Sequence, residues 1–351
     1  MKVLGIETSC DECAAAVVED GRKVLSNVVA TQIPFHAPYS GVVPEIASRK
    51  HTEWIYAVVK EALDKAGLEP KGIDAVAVTN RPGLLGSLLV GLSFAKAFAW
   101  ARNIPFIAVD HMLAHLYAPR LALDDPPEYP FLGLLVSGGH SIICRADNFD
   151  NITVLGTTID DAAGEAFDKV AKYYGFGYPG GAVIDRLAQS GDSGAFRFPL
   201  PNLHKGEHRC DVSYSGLKTA VINQLELFVR KRRGGETASG SAVPSWTRAQ
   251  DIAASFQKTA VDILLRALFN AAGDTGLSTI VAGGGVAANS CLRACLVERK
   301  DLHCVFPPLE FCGDNGAMIA GIGYHYLARG ERSPLSVTPS ARVTGFKKKY
   351  P

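Results

Sequence analysis

Two histidines four residues apart, His111 and His115, directly follow an apolar run at residues 105–109. On a helix this spacing puts both imidazoles on one face, within reach of one ion. The pair alone does not specify a metal, because paired core or surface histidines share the spacing. A second apolar run, residues 302–306, is followed by Cys312-Gly313-Asp314-Asn315-Gly316. Asp314 therefore stands at the equivalent place, either as the N-cap of the next helix or as a third ligand. Two imidazoles and one carboxylate leave coordination positions open for a substrate, which suits iron or zinc. A His-Glu-x-x-His protease also needs a glutamate beside the first ligand; Met112 holds that position.

Glycine-rich turns form the second group of candidates. In Val136-Ser137-Gly138-Gly139-His140, successive small residues let backbone N–H groups converge on an anion. Thr8-Ser9-Cys10-Asp11 is the counterpart near the N-terminus, so two turns face to face could clamp a phosphate, with Ser9 in contact. Ala282-Gly283-Gly284-Gly285-Val286-Ala287-Ala288-Asn289 reads as strand, turn and helix. Its glycines either admit a flat ligand, with Asn289 on a ribose or base edge, or serve tight strand–helix packing. Asp168 and Asp185 flank Tyr178-Pro179-Gly180-Gly181 and are either ribose-binding carboxylates or helix-surface acids. Cys10-x-x-Cys13 has no second pair at zinc-knuckle spacing and no helix N-terminus to lower a thiol pKa.

Repeated elements must position these residues. Strands are expected at 2–8, 14–19 and 23–29, with Asp20-Gly21 as the hairpin turn between the last two. A helix at 44–66, a strand at 73–79, a helix at 82–101 and a strand at 105–109 follow. The order recurs as strands 131–136, 140–145 and 152–156, helix 161–174, strand 278–282, helix 287–298 and strand 302–306. The second copy is interrupted by an insertion at about 175–250. This predicts an α/β protein of two similar lobes, residues 1–128 and 129–328, with a tail at 329–351. Ligands of such lobes bind beyond the carboxyl ends of the strands, here in the cleft between them. Trp54, Ile55 and Val58 on helix 44–66 exceed one packing face and mark it as a docking surface for a protein partner.

The composition fits this picture. Of 351 residues, 47% are hydrophobic and 20% charged, which excludes a disordered chain. Lys+Arg 36 against Asp+Glu 35 excludes a general basic coat. It leaves local patches at Arg230-Lys231-Arg232-Arg233 and Lys347-Lys348-Lys349. Residues 82–101 are apolar except for Lys96, but Gly83, Gly86 and Gly91 favour a buried helix over a membrane span. The eight cysteines are scattered and no signal peptide is evident, so a reducing, cytoplasmic compartment is expected.

Ten motifs occur in one order that is specific: Gly5-Ile6-Glu7-Thr8-Ser9-Cys10-Asp11-Glu12, Gly41-Val42-Val43-Pro44-Glu45-Ile46-Ala47-Ser48-Arg49, Asn80-Arg81-Pro82-Gly83-Leu84, His111-x-x-x-His115, Val136-Ser137-Gly138-Gly139-His140, Gly164-Glu165-Ala166-Phe167-Asp168-Lys169, Tyr178-Pro179-Gly180-Gly181, Ser213-Tyr214-Ser215-Gly216-Leu217-Lys218, the run from Gly283 to Asn289, and Asp314-Asn315-Gly316-Ala317-Met318. With them the chain, from Met1 to about Ala328, resembles the bacterial TsaD family of tRNA threonylcarbamoyltransferases. The resemblance implies the ASKHA (actin/Hsp70-like) fold, with duplicated RNase H-like lobes and a cleft between them. It implies transfer of the threonylcarbamoyl group from L-threonylcarbamoyladenylate to N6 of adenosine 37, 3′-adjacent to the anticodon, in tRNAs reading codons that begin with adenine. AMP is released and the modified base is t6A. The family's metal ligands fall on His111, His115 and Asp314, for one divalent ion per subunit, Fe2+ or Zn2+. Its nucleotide and substrate positions fall on Val136, Ser137, Gly138, Gly139, His140, Asp168, Gly181, Asp185 and Asn289. No acid, base or nucleophile is assigned. The implied partners are tRNA, a TsaB-like inactive paralogue, a TsaE-like ATPase and a threonylcarbamoyl-AMP synthase, with no membrane. Cys13 and Gly313 stand where the family usually has threonine, and residues 232–245 form a longer segment than is typical. A metallopeptidase and a non-catalytic nucleotide-binding protein of the same fold are the alternative classes.

Overall fold

The structure, a computed structural model, describes residues 1–121, 123, 125–203, 206–233 and 246–342. The basic tail Lys347-Lys348-Lys349 and residues 234–245 lie outside the described residues.

The first apolar runs form antiparallel strands β1 (Lys2–Glu7), β2 (Glu12–Glu19) and β3 (Lys23–Thr31). Asp20 and Gly21 make the hairpin turn with φ of 51° and 73°, the left-handed pair that matches strand twist. A short helix α1 (Ile33–His36) leads to α2 (Pro44–Lys65), β4 (Ala75–Arg81), α3 (Leu85–Arg102), β5 (Phe106–Asp110) and α4 (His111–Tyr117). β4 and β5 join in parallel beside β1, giving the order β3-β2-β1-β4-β5.

The second half continues with β6 (Phe131–Val136), β7 (Ser141–Ala146), β8 (Ile152–Thr157), α5 (Ala163–Tyr174) and α6 (Gly180–Ala188). Then come α7 (Ser215–Arg233), α8 (Trp246–Thr275), β9 (Thr279–Gly283), α9 (Ser290–Val297), β10 (His303–Val305) and α10 (Gly316–Ala328). Read from β8, the second sheet is β8-β7-β6-β9-β10, with the same sequence of antiparallel and parallel pairs as the first. The expected duplication is thus present in both strand order and strand direction.

Strand alternation sets the layers. β1 sends Leu4 and Ile6 to an outer core with Ile55, Val59 and Leu92 of α2 and α3. Its other face, Val3, joins Ala77, Met112, Leu116, Ile319 and Ile322. Leu135 and Val281 of the second sheet belong to that same cluster, so α4 and α10 lie between the two sheets. The far face of the second sheet, Leu132, Leu134 and Ile280, packs on Val170, Phe256 and Leu292 of α5, α8 and α9.

Helix α10 follows β10 in the chain but packs on the first sheet, backbone against backbone. A Cβ on Gly5 would lie 2.1 Å from the Gly316 carbonyl oxygen, and one on Gly316 would lie 2.6 Å from the Ala16 nitrogen. Only glycine at both positions allows this approach, which fixes the residues just ahead of α10.

Two expectations change. Ile55 and Val58 are 6% and 5% exposed and face the first sheet, while Trp54 packs on the same core and edge-on to Phe35 at 5.6 Å. The apolar excess on α2 is therefore core and does not mark a docking surface. The helix expected from 287 begins as an α-helix only at Ser290, after a 3-10 turn at Gly285–Ala288, because the Asn289 side chain caps it by accepting from Leu292 N at 3.0 Å. The insertion contains α6, α7 and the first residues of α8; Ile184, Leu187, Leu217 and Val221 build α6 and α7 into the second core. Residues 82–101 form the buried-faced α3, and among the described residues no helix is long and apolar enough to cross a membrane.

Candidate metal centre and nucleotide cleft

Helix α4 starts directly after the last residue of β5. Asp110 caps it, Oδ1 accepting from Met112 N at 3.0 Å, while Oδ2 pairs with Arg81 Nε at 3.2 Å. His111 is thus the first helical residue and His115 lies one turn on, both buried. Across from them Asn315, not Asp314, caps α10: its Oδ1 accepts from Met318 N at 2.9 Å. The Asp314 carboxylate is left to face the histidines.

These three side chains converge. His115 Nε2 is 3.1 Å from His111 Nε2 and 3.2 Å from Asp314 Oδ1, and His111 Nε2 is 3.4 Å from Asp314 Oδ1. Ligand atoms each ~2.1 Å from a shared ion stand about 3.0 Å apart in octahedral and about 3.4 Å apart in tetrahedral geometry. The triangle fits a divalent ion, and it is the cluster of three metal-binding side chains found among the described residues.

The field of the two carboxylates favours positive charge at this point. Burial opposes a charged His111, yet Asp314 and Glu7 outweigh it and raise its pKa to about 9. Burial and the neighbouring His111 push His115 down. Asp314 is held at about 2 by His111 and His115 against the opposing effect of burial. Burial, then His111 and His115, lower His140 to about 4, which places it within the field of the same centre.

Glu7, at the end of β1, completes the environment. Its Oε1 accepts from Ser9 N at 2.5 Å, and Oε2 lies 3.0 Å from His111 Nδ1 and also accepts from the Thr79 hydroxyl. Ser9 is 2% exposed, with Oγ 3.4 Å from His111 Nδ1, so both its polar groups face the metal centre. Sequence reasoning did not single out Glu7. The available signal was a carboxylate ending a strand that is otherwise apolar after Lys2.

Beside this turn, burial first and then Asp11 and Asp314 push the Glu12 carboxyl up to about 9. A carboxyl raised in the fold contributes stability that is complete below its ordinary value of 4.5 and lost as pH rises through about 9. Metal-free Glu12→Gln is therefore expected to melt with the wild type near pH ~4 and a few degrees above it near pH ~8. Parallel melting curves at both pH values check this.

The second turn is built as a hairpin. Ser137 N donates to His140 O at 2.8 Å, and His140 N donates to Ser137 Oγ at 3.2 Å. Val136 ends the buried β6, and nothing lies within 4 Å of a Cβ on Gly138 or Gly139, so both turn glycines are open. Behind them, a Cβ on Gly164 would lie 2.6 Å from Ser137 O, packing the start of α5 against the turn.

Two further groups meet along α6. Asp168 Oδ1 accepts from Gly180 N at 2.7 Å at the start of that helix, and burial raises its pKa. Gly181 beside it is open. One turn on, Asp185 Oδ1 accepts from Ser290 Oγ at 2.7 Å and from Asn289 Nδ2 at 3.3 Å. Asn289 Nδ2 also donates to Gln257 Oε1 at 3.0 Å. Two glycines of the third motif are packing residues: a Cβ on Gly283 would lie 2.6 Å from His115 O, and one on Gly284, with φ +91°, 2.4 Å from Val136 O. Gly285 alone of the three is open. The Ser213–Lys218 motif ties α7 to the loop after β8, Asp160 accepting from Tyr214 N at 2.8 Å and Asp161 pairing with both Lys218 and Lys169.

Comparison with known proteins shows the family of the chain. The family described as TsaD, tRNA N6-adenosine threonylcarbamoyltransferase, matches residues 23–321. A protein of that name from Treponema denticola is 66% identical over 349 residues, 99% of each chain. One from Treponema pallidum is 57% identical over 349 residues, 99% of this chain and 95% of the other. One from Borreliella burgdorferi is 49% identical over 351 residues, 100% of this chain and 96% of the other. Among solved structures, full-length HypF in its phosphate- and nucleotide-bound form covers 95% of this chain with 47% of its own, at TM-score 0.56 and 13% identity. Component A of (R)-2-hydroxyglutaryl-CoA dehydratase from Acidaminococcus fermentans covers 93% of this chain with 99% of its own, at TM-score 0.51 and 14% identity. These two likenesses concern the fold alone, the ASKHA arrangement of duplicated lobes. Sequence identity along the whole length, carried on that fold, settles membership: the chain belongs to the TsaD family of tRNA N6-adenosine threonylcarbamoyltransferases.

Proposed function

We propose that this chain transfers a threonylcarbamoyl group from threonylcarbamoyl-adenylate to N6 of adenosine 37 in tRNAs that read codons beginning with adenine. The observation that carries the proposal is the triangle of buried His111 and His115 with half-buried Asp314, in a chain that matches the family along its length. In the reaction a bond forms between N6 and the carbamoyl carbon, the bond from that carbon to the phosphate oxygen breaks, N6 loses a proton and AMP leaves.

His111, His115 and Asp314 would hold one Fe2+ or Zn2+, which supplies Lewis-acid stabilisation at the acyl-phosphate end of the donor. The open Gly138–Gly139 turn presents backbone N–H groups to charge that develops there. Val136, Ser137 and His140 shape this turn, and Ser9 holds the opposite side. Gly181, Asp168, Asp185 and Asn289 form the nucleoside side of the cleft. No side chain is needed as a covalent nucleophile. The exocyclic amine is a weak nucleophile, so the residues act mainly by holding donor and acceptor in register.

The same reading gives the chain a cytoplasmic setting and a set of partners: tRNA, a TsaB-like paralogue, a TsaE-like ATPase and the synthase that supplies the adenylate. It divides the chain at residues 1–128 and 129–328. Binding of tRNA through local basic patches is expected to weaken linearly with log salt, with a slope of about −0.9 per phosphate contact on duplex regions. A filter-binding titration checks this, and an affinity indifferent to salt would refute the patches.

Incubating unmodified tRNA with threonine, bicarbonate, ATP, the chain and these partners tests the function by nucleoside mass spectrometry. Threonylcarbamoyladenosine is expected, and only when the chain is present. Peptide cleavage by the purified chain, with tRNA left unmodified, would support the metallopeptidase reading instead.

A further inference from the structure

We propose that Glu7 is a positioning residue for the metal centre: its carboxylate holds the His111 imidazole in the tautomer and orientation that turn Nε2 toward His115 and Asp314. The inference rests on the metal reading above and concerns a residue outside the ligand triangle.

Glu7 is completely buried at the carboxyl end of β1. An ionised carboxylate only accepts hydrogen bonds. The Ser9 amide donates to Oε1 at 2.5 Å, and the Thr79 hydroxyl and the His111 ring share Oε2, the ring through Nδ1 at 3.0 Å. His111 must therefore supply an N–H from Nδ1. In the neutral imidazole that leaves the lone pair on Nε2, the atom that lies 3.1 Å from His115 Nε2 and 3.4 Å from Asp314 Oδ1. A carboxylate behind a ligating histidine fixes the ring and makes it a better donor.

The rest of the centre lacks this support. His115 Nδ1 is buried and has no hydrogen-bond partner. Glu7 is itself held by two groups from different strands, the Ser9 amide after β1 and Thr79 on β4. One imidazole of the pair is thus oriented from behind by a carboxylate anchored in the first sheet, while the other has no hydrogen bond behind it, at Nδ1.

The test uses the full chain as wild type, Glu7→Gln and Glu7→Ala. Zn2+ affinity is measured by competition with a chromophoric chelator, Co2+ spectra report the ligand field, and metal-free melting reports the fold. Affinity is expected to fall about tenfold in Glu7→Gln and about 100-fold in Glu7→Ala, with the Co2+ d–d bands shifted in both. If Glu7→Ala does not fold, Glu7→Gln carries the test. A folded variant that binds Zn2+ within about twofold of wild type, with unchanged Co2+ bands, would overturn the inference and leave Glu7 a purely structural buried acid. If the wild type itself holds neither ion, the metal reading falls, and this inference falls with it.

Discussion

His115→Ala is expected to abolish metal retention and to lower transfer by about 10³-fold, with the chain still folded and melting a few degrees below the wild type. Loss of a Lewis acid removes several kcal/mol of transition-state stabilisation, and about 4 kcal/mol corresponds to about 10³ in rate. The fold should tolerate the change because His115 Nδ1 has no partner to lose, and the part-exposed Asp314 keeps His111 Nε2 at 3.4 Å when it loses His115 Nε2. His111→Ala should lose the metal as well, at a larger cost in stability. It strips Glu7 of its Nδ1–H partner and leaves the buried carboxylate with only the neutral Ser9 amide and Thr79 hydroxyl as donors, a loss of about 3 kcal/mol. Metal content per chain and melting curves of the two variants, side by side, check both statements. A His115→Ala chain that still carries one ion would refute the triangle.

Gly5→Ala is expected to be the most damaging small substitution in the first sheet. The added methyl would meet the Gly316 carbonyl oxygen at 2.1 Å and the Ala320 nitrogen at 2.6 Å. Both are backbone atoms, which cannot swing aside as a flexible side chain does. Overpacking of this kind costs about 3 kcal/mol. The only relief is to lift α10 from β1, and Asp314 precedes α10 by two residues. The variant should therefore lose metal affinity even where it remains folded, although Gly5 touches no ligand of the triangle. Denaturant unfolding and Zn2+ titration of the same preparation check the coupling. A destabilised variant with undiminished Zn2+ affinity would show that α10 does not set the position of Asp314.

The triangle was legible because each ligand sits at a position the repeated elements predict. His-x-x-x-His opens the helix after the fifth strand, and Asp314 follows the last strand of the second copy. Its capping alternative could not be decided from spacing, since Asp314 and Asn315 are adjacent and either side chain can cap a helix; the structure gives the cap to Asn315. The duplicated strand order was legible for a related reason. Strands buried on both faces read as short apolar runs, and those of both sheets stand out between polar turns.

Other features depend on long-range neighbours. Gly283 and Gly284 look like a ligand-binding turn in sequence, yet they meet His115 and Val136, residues far away in the chain. Trp54, Ile55 and Val58 exceed a narrow helical stripe, but α2 also contacts α3 and Phe35, so a wider face is buried than the stripe rule assumes. Glu7 escaped notice because its meaning comes from His111 and Thr79, which the sheet brings to it from other strands and α4.

The central claim is that a metal-loaded triangle, with the turn and cleft around it, performs acyl transfer to tRNA. Single-turnover transfer from supplied threonylcarbamoyl-adenylate to unmodified tRNA tests it most directly, with the chain and its partners metal-free, reloaded with Fe2+ or Zn2+, or carrying His115→Ala. Threonylcarbamoyladenosine should form with the reloaded chain at least about 10³-fold faster than with the other two. Equal rates in all three would contradict the account.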